Sequence, residues 1–206
     1  MEQRTEDWYQ ARLGHVTASQ MSNVLATIKS GEAASRANYR IQVITERLVG
    51  APTEDAFVSS AMQRGIDLEP VARSVYEAYR GVDVEECGFV QHPSIKWFGA
   101  SPDGLIGDDG LIEIKCPNSQ QHIQYWCDQK IPSKYQAQML AQLACTQRRW
   151  CDFVSFDNRM PEDMMLLVIR FEPAREEIEK IESEVKQFLS EVDMQLDVIN
   201  KRRNHE

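Results

Sequence analysis

Residues 101–115 read SPDGLIGDDGLIEIK, and this stretch decides the fold. Two short apolar runs, 104–106 and 111–115, flank the turn-forming residues Gly-Asp-Asp-Gly at 107–110. Glycine and aspartate tolerate the backbone angles of tight turns, so the pattern predicts two strands joined as a hairpin.

The polar side chains of this hairpin have a definite placement. Side chains alternate along a strand, so Glu113 and Lys115 share one face while the two neighbouring isoleucines take the other. The preceding turn can bring Asp103 beside Glu113. Two carboxylates on adjacent strands hold a hard divalent cation such as Mg²⁺ well. A lysine on the same face can orient a water molecule and offset the charge of a phosphate. These groups are typical of enzymes that hydrolyse phosphodiesters with a metal ion.

An acid two residues before a lysine is not specific by itself. The chain has two more such triplets, 128–130 and 184–186, in polar or helical surroundings where a solvated ion pair is expected. For 101–115 the alternative is a plain turn followed by the solvated face of an edge strand.

Helical and strand patterns surround the hairpin. Helices are predicted over 17–29, 35–49, 59–81, 119–127, 133–145 and 173–202. Further strands are predicted over 84–90, 97–101, 149–156 and 164–171. Pro70 should bend or break the third helix because proline lacks the backbone N–H. Strands flanked on both sides by helices predict an α/β fold with a small central mixed sheet and a long C-terminal helix.

Length and composition predict an ordinary globular protein. The chain has 206 residues, 42% hydrophobic and 27% charged, which predicts one domain over 1–206 with a C-terminal helical extension at 172–206. We find no apolar run long enough to cross a bilayer and no signal-peptide pattern, so a cytoplasmic protein is expected. The net charge of −9 disfavours sequence-independent coating of nucleic acid.

Other chemistries lack their motifs. The five cysteines are odd in number and none forms a C-x-x-C pair, which disfavours a disulfide framework or a zinc site. The four histidines are isolated and no H-E-x-x-H occurs. A phosphate-binding G-x-x-x-x-G-K-[ST] loop is also absent, so the sequence carries no motor of its own.

Five short motifs follow one another between residues 8 and 138, within a similarity that covers most of residues 8–171. They are Trp8 with Arg12-Leu13-Gly14 and Thr17-Ala18-Ser19; Arg64-Gly65 with Glu69-Pro70; Ser101-Pro102-Asp103-Gly104; Glu113-Ile114-Lys115-Cys116-Pro117; and Tyr135 with Gln138. In this order they resemble the lambda exonuclease, or YqaJ-type viral recombinase, family of the PD-(D/E)xK nuclease superfamily. The resemblance implies a restriction-endonuclease-like core.

The same resemblance implies an active site. Asp103, Glu113 and the backbone carbonyl of Ile114 would be metal ligands. Glu69 would add a carboxylate, directly or indirectly, and Lys115 would position the attacking water. Two Mg²⁺ ions are implied, with Mn²⁺ as a substitute.

A second site is implied for the 5′-terminal phosphate of the degraded strand. Thr17 fits a capping box, which would place Ser19 in the first helical turn, where free N–H groups favour an anion. Arg12 can grip phosphate oxygens in a bidentate manner. By resemblance, Ser101 and Gln138 complete the pocket.

Two further sets of residues are candidates for DNA contact. Tyr135, Gln138 and Gln142 recur on one helix face and either line a DNA groove or face solvent. Arg36 and Arg40 share a helix and form either a phosphate-tracking patch or a solvated face.

The resemblance implies a Mg²⁺-dependent 5′→3′ exonuclease that acts on linear double-stranded DNA in a bacterial host cell. It would release 5′-mononucleotides and leave 3′ single-stranded tails for phage-type recombination. A ring-shaped homotrimer and a single-strand annealing protein as partner are implied as well. The alternatives are a Cas4-like nuclease, a restriction-type endonuclease and a non-catalytic DNA-end-binding module.

Overall fold

The computed structural model describes residues 2–52 and 59–203 of the chain. The last three residues of the predicted extension, 204–206, lie outside this part. The helices are α1 (Glu6–Arg12), α2 (Met21–Val24), α3 (Ala34–Val49), α4 (Ser60–Arg80), α5 (Ser119–Asp128), α6 (Ser133–Thr146) and α7 (Arg175–Arg203). The strands are β1 (Val16–Thr17), β2 (Val90–Gln91), β3 (Phe98–Ala100), β4 (Gly104–Ile106), β5 (Gly110–Lys115), β6 (Trp150–Phe156) and β7 (Leu166–Phe171).

The central sheet has four strands in the order β4-β5-β6-β7. β4 and β5 form the predicted antiparallel hairpin, with Gly104 opposite Ile112. β5 and β6 are parallel, and the chain crosses between them through α5 and α6. The predicted small mixed sheet is confirmed. Because β5 is an inner strand, the alternative of a solvated edge strand is wrong.

Both faces of this sheet are covered, since β5 and β6 carry buried apolar side chains on each face. On one face, Ile112 and Ile114 pack with Ala72 and Tyr76 of α4. On the other face, a second cluster joins β5 and β6 to α5 and α6; it includes Leu111, Tyr125, Met139, Leu143 and Phe153. Glu113 and Lys115 therefore point toward the side of α5 and α6.

A second, three-stranded sheet with the order β1-β3-β2 lies near the N-terminal end of the chain. β1 was not predicted, because the sequence around Thr17 has the pattern of a helix cap. Its side chain makes no capping bond, and its N–H instead donates to the Tyr39 hydroxyl (3.1 Å) while Thr17 pairs with Gly99 of β3. A 3₁₀ turn and the short α2 follow, so the helix predicted to continue to residue 29 ends at Val24.

The strand predicted over 84–90 is largely wrong. Only Val90 and Gln91 form a strand, while Glu85 makes an isolated antiparallel bridge to Leu105. The segment thus crosses the edge of β4 without following it.

α4 continues past Pro70 without interruption, so the predicted break does not occur. Pro70 lies on the exposed side of the helix, where water can bond the carbonyl that the missing N–H leaves free. Glu69, the residue before it, is held by Arg4 and Arg73.

The predicted C-terminal helix is confirmed as α7, which packs by one apolar stripe against α2, α3 and α6. Ile181, Val185, Phe188, Leu189 and Val192 of α7 are buried in this contact. None of the helices within residues 2–52 and 59–203 is long and apolar enough to span a membrane.

Candidate active site

The β4–β5 hairpin brings Asp103 and Glu113 together. Asp103 immediately precedes β4, and its Oδ2 accepts a hydrogen bond from the backbone N–H of Ile114 at 2.6 Å. Gly104 is needed beside it because a Cβ there would lie 2.2 Å from Cγ1 of Val84. The sequence Asp-Gly is thus required for the chain to enter β4 under Val84 with the aspartate turned toward β5.

Glu113 is completely buried, and each of its carboxylate oxygens accepts a hydrogen bond. Its Oε1 accepts from Nε2 of Gln138 at 2.8 Å and also pairs with the Lys115 ammonium. Its Oε2 accepts from Nε2 of Gln142 at 2.6 Å. The predicted acid and lysine are therefore in direct contact, and α6 supplies two amides that were not predicted to bind this carboxylate.

Burial and the neighbouring charges shift the pKa values of Asp103 and Lys115. Burial, followed by the negative charges of Glu113 and Glu69, raises the pKa of Asp103 well above its ordinary value. Burial alone would lower the pKa of Lys115, but the carboxylates of Glu113 and Asp103 raise it. The hairpin thus concentrates negative charge, and Lys115 stays protonated beside it.

Glu69 reaches the same region from α4. It accepts a hydrogen bond from Arg73, one helical turn away, at 3.1 Å, and it pairs with Arg4 of the N-terminal segment. Arg4 has a left-handed backbone with φ of 67°, which is unusual for a residue with a Cβ. Gln3, beside it, donates to the carbonyl of Pro102 at 2.8 Å.

The oxygen-rich donor set fits a divalent metal ion. Asp103, Glu113 and the carbonyl of Ile114 offer the hard oxygen ligands that Mg²⁺ prefers, and the clustered negative charge favours a cation. Within the described residues, no three His, Cys, Asp or Glu side chains are grouped to hold a metal. Glu69 is engaged by its two arginines, so the ligands the hairpin itself can supply are two carboxylates and a carbonyl.

The predicted phosphate residues are brought together in part. Nη1 of Arg12 donates to Oγ of Ser101 at 3.2 Å, and the guanidinium lies over the Trp8 ring at 4.0 Å from its centre. Nε1 of Trp8 donates to the same Oγ at 3.0 Å. Ser19 is exposed, in a 3₁₀ turn that contacts α6, and not in the capped helical turn that was expected. Gln138 is directed to Glu113.

The two DNA-groove candidates on α6 have different surroundings. Gln142 is completely buried, so the expectation that it lines a groove is wrong. Tyr135 is partly exposed and stacks on Phe153 at 5.5 Å between ring centres. The Lys115 ammonium lies 5.2 Å from the centre of the Tyr135 ring, so Tyr135 borders this lysine of the candidate site.

Arg36 and Arg40 face α7. Arg36 makes a bidentate pair with Glu191 at 3.0 and 2.9 Å. Arg40 bonds to Glu191, Glu32 and Gln195. The structure corrects both expectations for these arginines, since they form a helix–helix interface instead of a phosphate-tracking patch or a solvated face.

Sequence reasoning missed the contacts of Trp8, Gln138 and Gln142. For Trp8, the i+4 spacing to Arg12 was the available signal. Gln142 stands four residues after Gln138, and the same spacing placed both amides on the side of α6 that covers β5.

An acid–acid–lysine hairpin whose glutamate is buried, on a mixed sheet covered by helices, defines a nuclease fold of the PD-(D/E)xK type. The chain belongs to the YqaJ-like viral recombinase family, whose model matches residues 7–149. It resembles the alkaline exonuclease LHK-Exo from Laribacter hongkongensis, with 46% identity over 98% of this chain and 99% of that one and a TM-score of 0.90.

A crystal structure of LHK-Exo in complex with dAMP gives 45% identity, the same coverage and a TM-score of 0.91. A phage-related exonuclease from Haemophilus somnus 129PT shares the fold, with a TM-score of 0.70 at 15% identity over 90% of this chain and 96% of its own. No curated protein matches the chain.

Proposed function

We propose that the protein is a Mg²⁺-dependent 5′→3′ exonuclease that degrades one strand of linear double-stranded DNA. The observation that carries this proposal is the contact of buried Glu113 with Lys115 beside Asp103. The relationship to alkaline exonucleases over nearly the whole chain favours this function over a Cas4-like nuclease or a restriction-type endonuclease.

Each residue has a separate task in this proposal. Asp103, Glu113 and the Ile114 carbonyl would hold the metal, which when bound supplies a polarised phosphoryl oxygen and an activated water. Lys115, a cation in this arrangement, donates a hydrogen bond that orients the water and offsets charge on the scissile phosphate. Tyr135 borders the lysine and limits the positions its ammonium can take.

The end of the strand would be held by the Arg12 pocket. Arg12 presents its guanidinium to a phosphate, with Trp8 beneath it and Ser101 beside it. Ser101 lies two residues before Asp103, so one short segment links the pocket to the metal acids. A strand end held there by its 5′-phosphate would place a nearby phosphodiester at the hairpin, and cleavage would release a 5′-mononucleotide.

The test is a digestion of a linear duplex labelled separately at its 5′ and 3′ ends, with Mg²⁺, resolved on a denaturing gel over time. We expect the 5′ label to appear early as mononucleotide while long 3′-labelled strands persist. Asp103→Asn should abolish this activity, whereas the matched control Asp108→Asn, in the exposed turn of the same hairpin, should retain it.

Other outcomes would contradict the proposal in distinct ways. Early loss of 3′ label would refute the polarity, and internal cutting of a closed circle would favour the restriction-type alternative. Binding of DNA ends without cleavage in either Mg²⁺ or Mn²⁺ would favour the non-catalytic module.

The family resemblance also supports three proposals on biological context. We propose a ring-shaped homotrimer that encloses DNA, since the sequence carries no nucleotide-driven motor. A single-strand annealing protein would receive the 3′ tails during phage-type recombination in the cytoplasm of a bacterial host. A solution mass of three chains, measured by light scattering, would support the trimer, and a monomer would refute it.

A further inference from the structure

Gln142 lies in the core of the protein, one helical turn beyond Gln138 on α6. Both amides are directed at Glu113, but they bind different oxygens: Gln138 donates to Oε1 at 2.8 Å and Gln142 to Oε2 at 2.6 Å. Gln142 and Glu113 are both completely buried. The carboxylate is therefore held at both of its oxygens, which leaves little freedom to rotate about its last bond.

The other end of the Gln142 amide has no partner. Its Oε1 is buried and accepts no hydrogen bond within the part of the chain that the structure describes. A buried acceptor without a donor disfavours folding, and the flanking positions Ala141 and Leu143 are apolar. A leucine would fill this place without that cost, so packing alone does not account for a glutamine.

The Gln138 and Gln142 amides are suited to orient a carboxylate that binds a metal ion. An amide is neutral, so it fixes the direction of the Glu113 carboxylate and leaves its negative charge intact for a cation. Lys115, in contrast, is a cation, so it competes with a metal ion for the negative charge on Oε1 of Glu113. Groups that orient a ligating carboxylate in this way commonly control metal affinity.

We propose that Gln142 is a positioning residue that sets the orientation of Glu113 for binding a divalent cation. This inference rests on the proposed function, because it assumes that Glu113 is a metal ligand. It predicts that the loss of one buried amide weakens metal binding even where the fold is retained.

The experiment measures binding of Mn²⁺ alone to the full-length protein without DNA, from the loss of the free-ion signal in electron paramagnetic resonance. Gln142→Leu removes the amide, and Gln142→Met removes it at nearly constant length should the leucine variant fail to fold. Gln136→Leu is the matched control, because Gln136 is on the same helix and donates to the Ile131 carbonyl at 2.9 Å. Thermal unfolding of every variant is recorded in parallel.

We expect the Kd for Mn²⁺ to rise by about 10- to 100-fold in both Gln142 variants and to stay within about twofold in the control. Unchanged Mn²⁺ binding in the Gln142 variants, with binding by the wild type, would overturn this inference and leave the proposed function standing. A wild-type protein that binds no Mn²⁺ and cleaves no DNA would overturn the proposed function and the inference with it.

Discussion

Replacement of Arg12 by lysine gives a direct test of the proposed phosphate pocket. The guanidinium of Arg12 donates to Ser101 at 3.2 Å and stacks on Trp8 at 4.0 Å. Lysine keeps the positive charge but loses the planar fork that can bind two phosphate oxygens at once. The variant therefore separates the geometry of the pocket from its charge.

The expected magnitude follows from these contacts. A hydrogen bond to a charged group contributes about 1.5–3 kcal/mol, and stacking of a cation on tryptophan adds about 0.5–2 kcal/mol. Lysine can restore part of this through its own charge, so we expect a loss of about 2 kcal/mol for a phosphorylated end. Since 1.4 kcal/mol corresponds to a factor of ten, Arg12→Lys should lower kcat/KM on the 5′-phosphorylated duplex about thirtyfold.

The assay compares kcat/KM on two linear duplexes that differ only in a 5′-phosphoryl or a 5′-hydroxyl end. Arg12→Lys should reduce the preference for the phosphorylated end, with most of the change in KM. The control is Arg170→Lys, because Arg170 also stacks on a tryptophan, Trp150, at 3.5 Å. Equal losses on both duplexes, or an unchanged preference, would refute the assignment of Arg12 to the terminal phosphate.

Three further predictions concern catalysis and stability. Lys115→Met should lower the single-turnover cleavage rate at least about a hundredfold without weakening Mn²⁺ binding, because its ammonium competes for the same carboxylate. Burial would raise the pKa of Asp157, but hydrogen bonds from Arg159 and Ser119 hold it well below its ordinary value. The ionised form therefore stabilises the fold fully above the unfolded pKa of about 4 and progressively less below it. Asp157→Asn should lower the free energy of unfolding in urea by about 2 kcal/mol at pH 7, and this difference from the wild type should shrink as the pH is lowered. Phe188→Ala, at a completely buried position of α7, should lower the free energy of unfolding by about 3–5 kcal/mol in the same assay.

The proximity of Asp103 and Glu113 could be predicted because their placement is local. Turn residues at 107–110 fix the hairpin, and strand alternation then sets which side chains share a face. Asp103 and Glu113 are only ten residues apart, so little else in the fold intervenes. The confirmed hairpin and its buried acid show how far such short-range rules reach.

Features that depend on distant partners were not predictable in the same way. Thr17 has the sequence context of a helix cap, yet it pairs with Gly99, more than 80 residues away, and enters a strand. The cap and the strand compete for the same backbone groups, and the tertiary pairing decides between them. Local patterns carry no information on that competition.

The basic face of α3 shows why a charge patch on one helix is a poor guide to nucleic-acid binding. Arg36 and Arg47 are paired with Glu191 and Asp193, about 150 residues later in the chain. Two acids of α7, Glu191 and Asp193, thus compensate arginines of α3, so neither the basic face of this helix nor the net charge of −9 shows which charges are available to DNA. The groups that we propose for a phosphate lie instead where α1 meets Ser101, which accepts hydrogen bonds from Trp8 and Arg12. Packing therefore decides whether an arginine faces an internal acid or the candidate site, and the sequence of one helix does not show which.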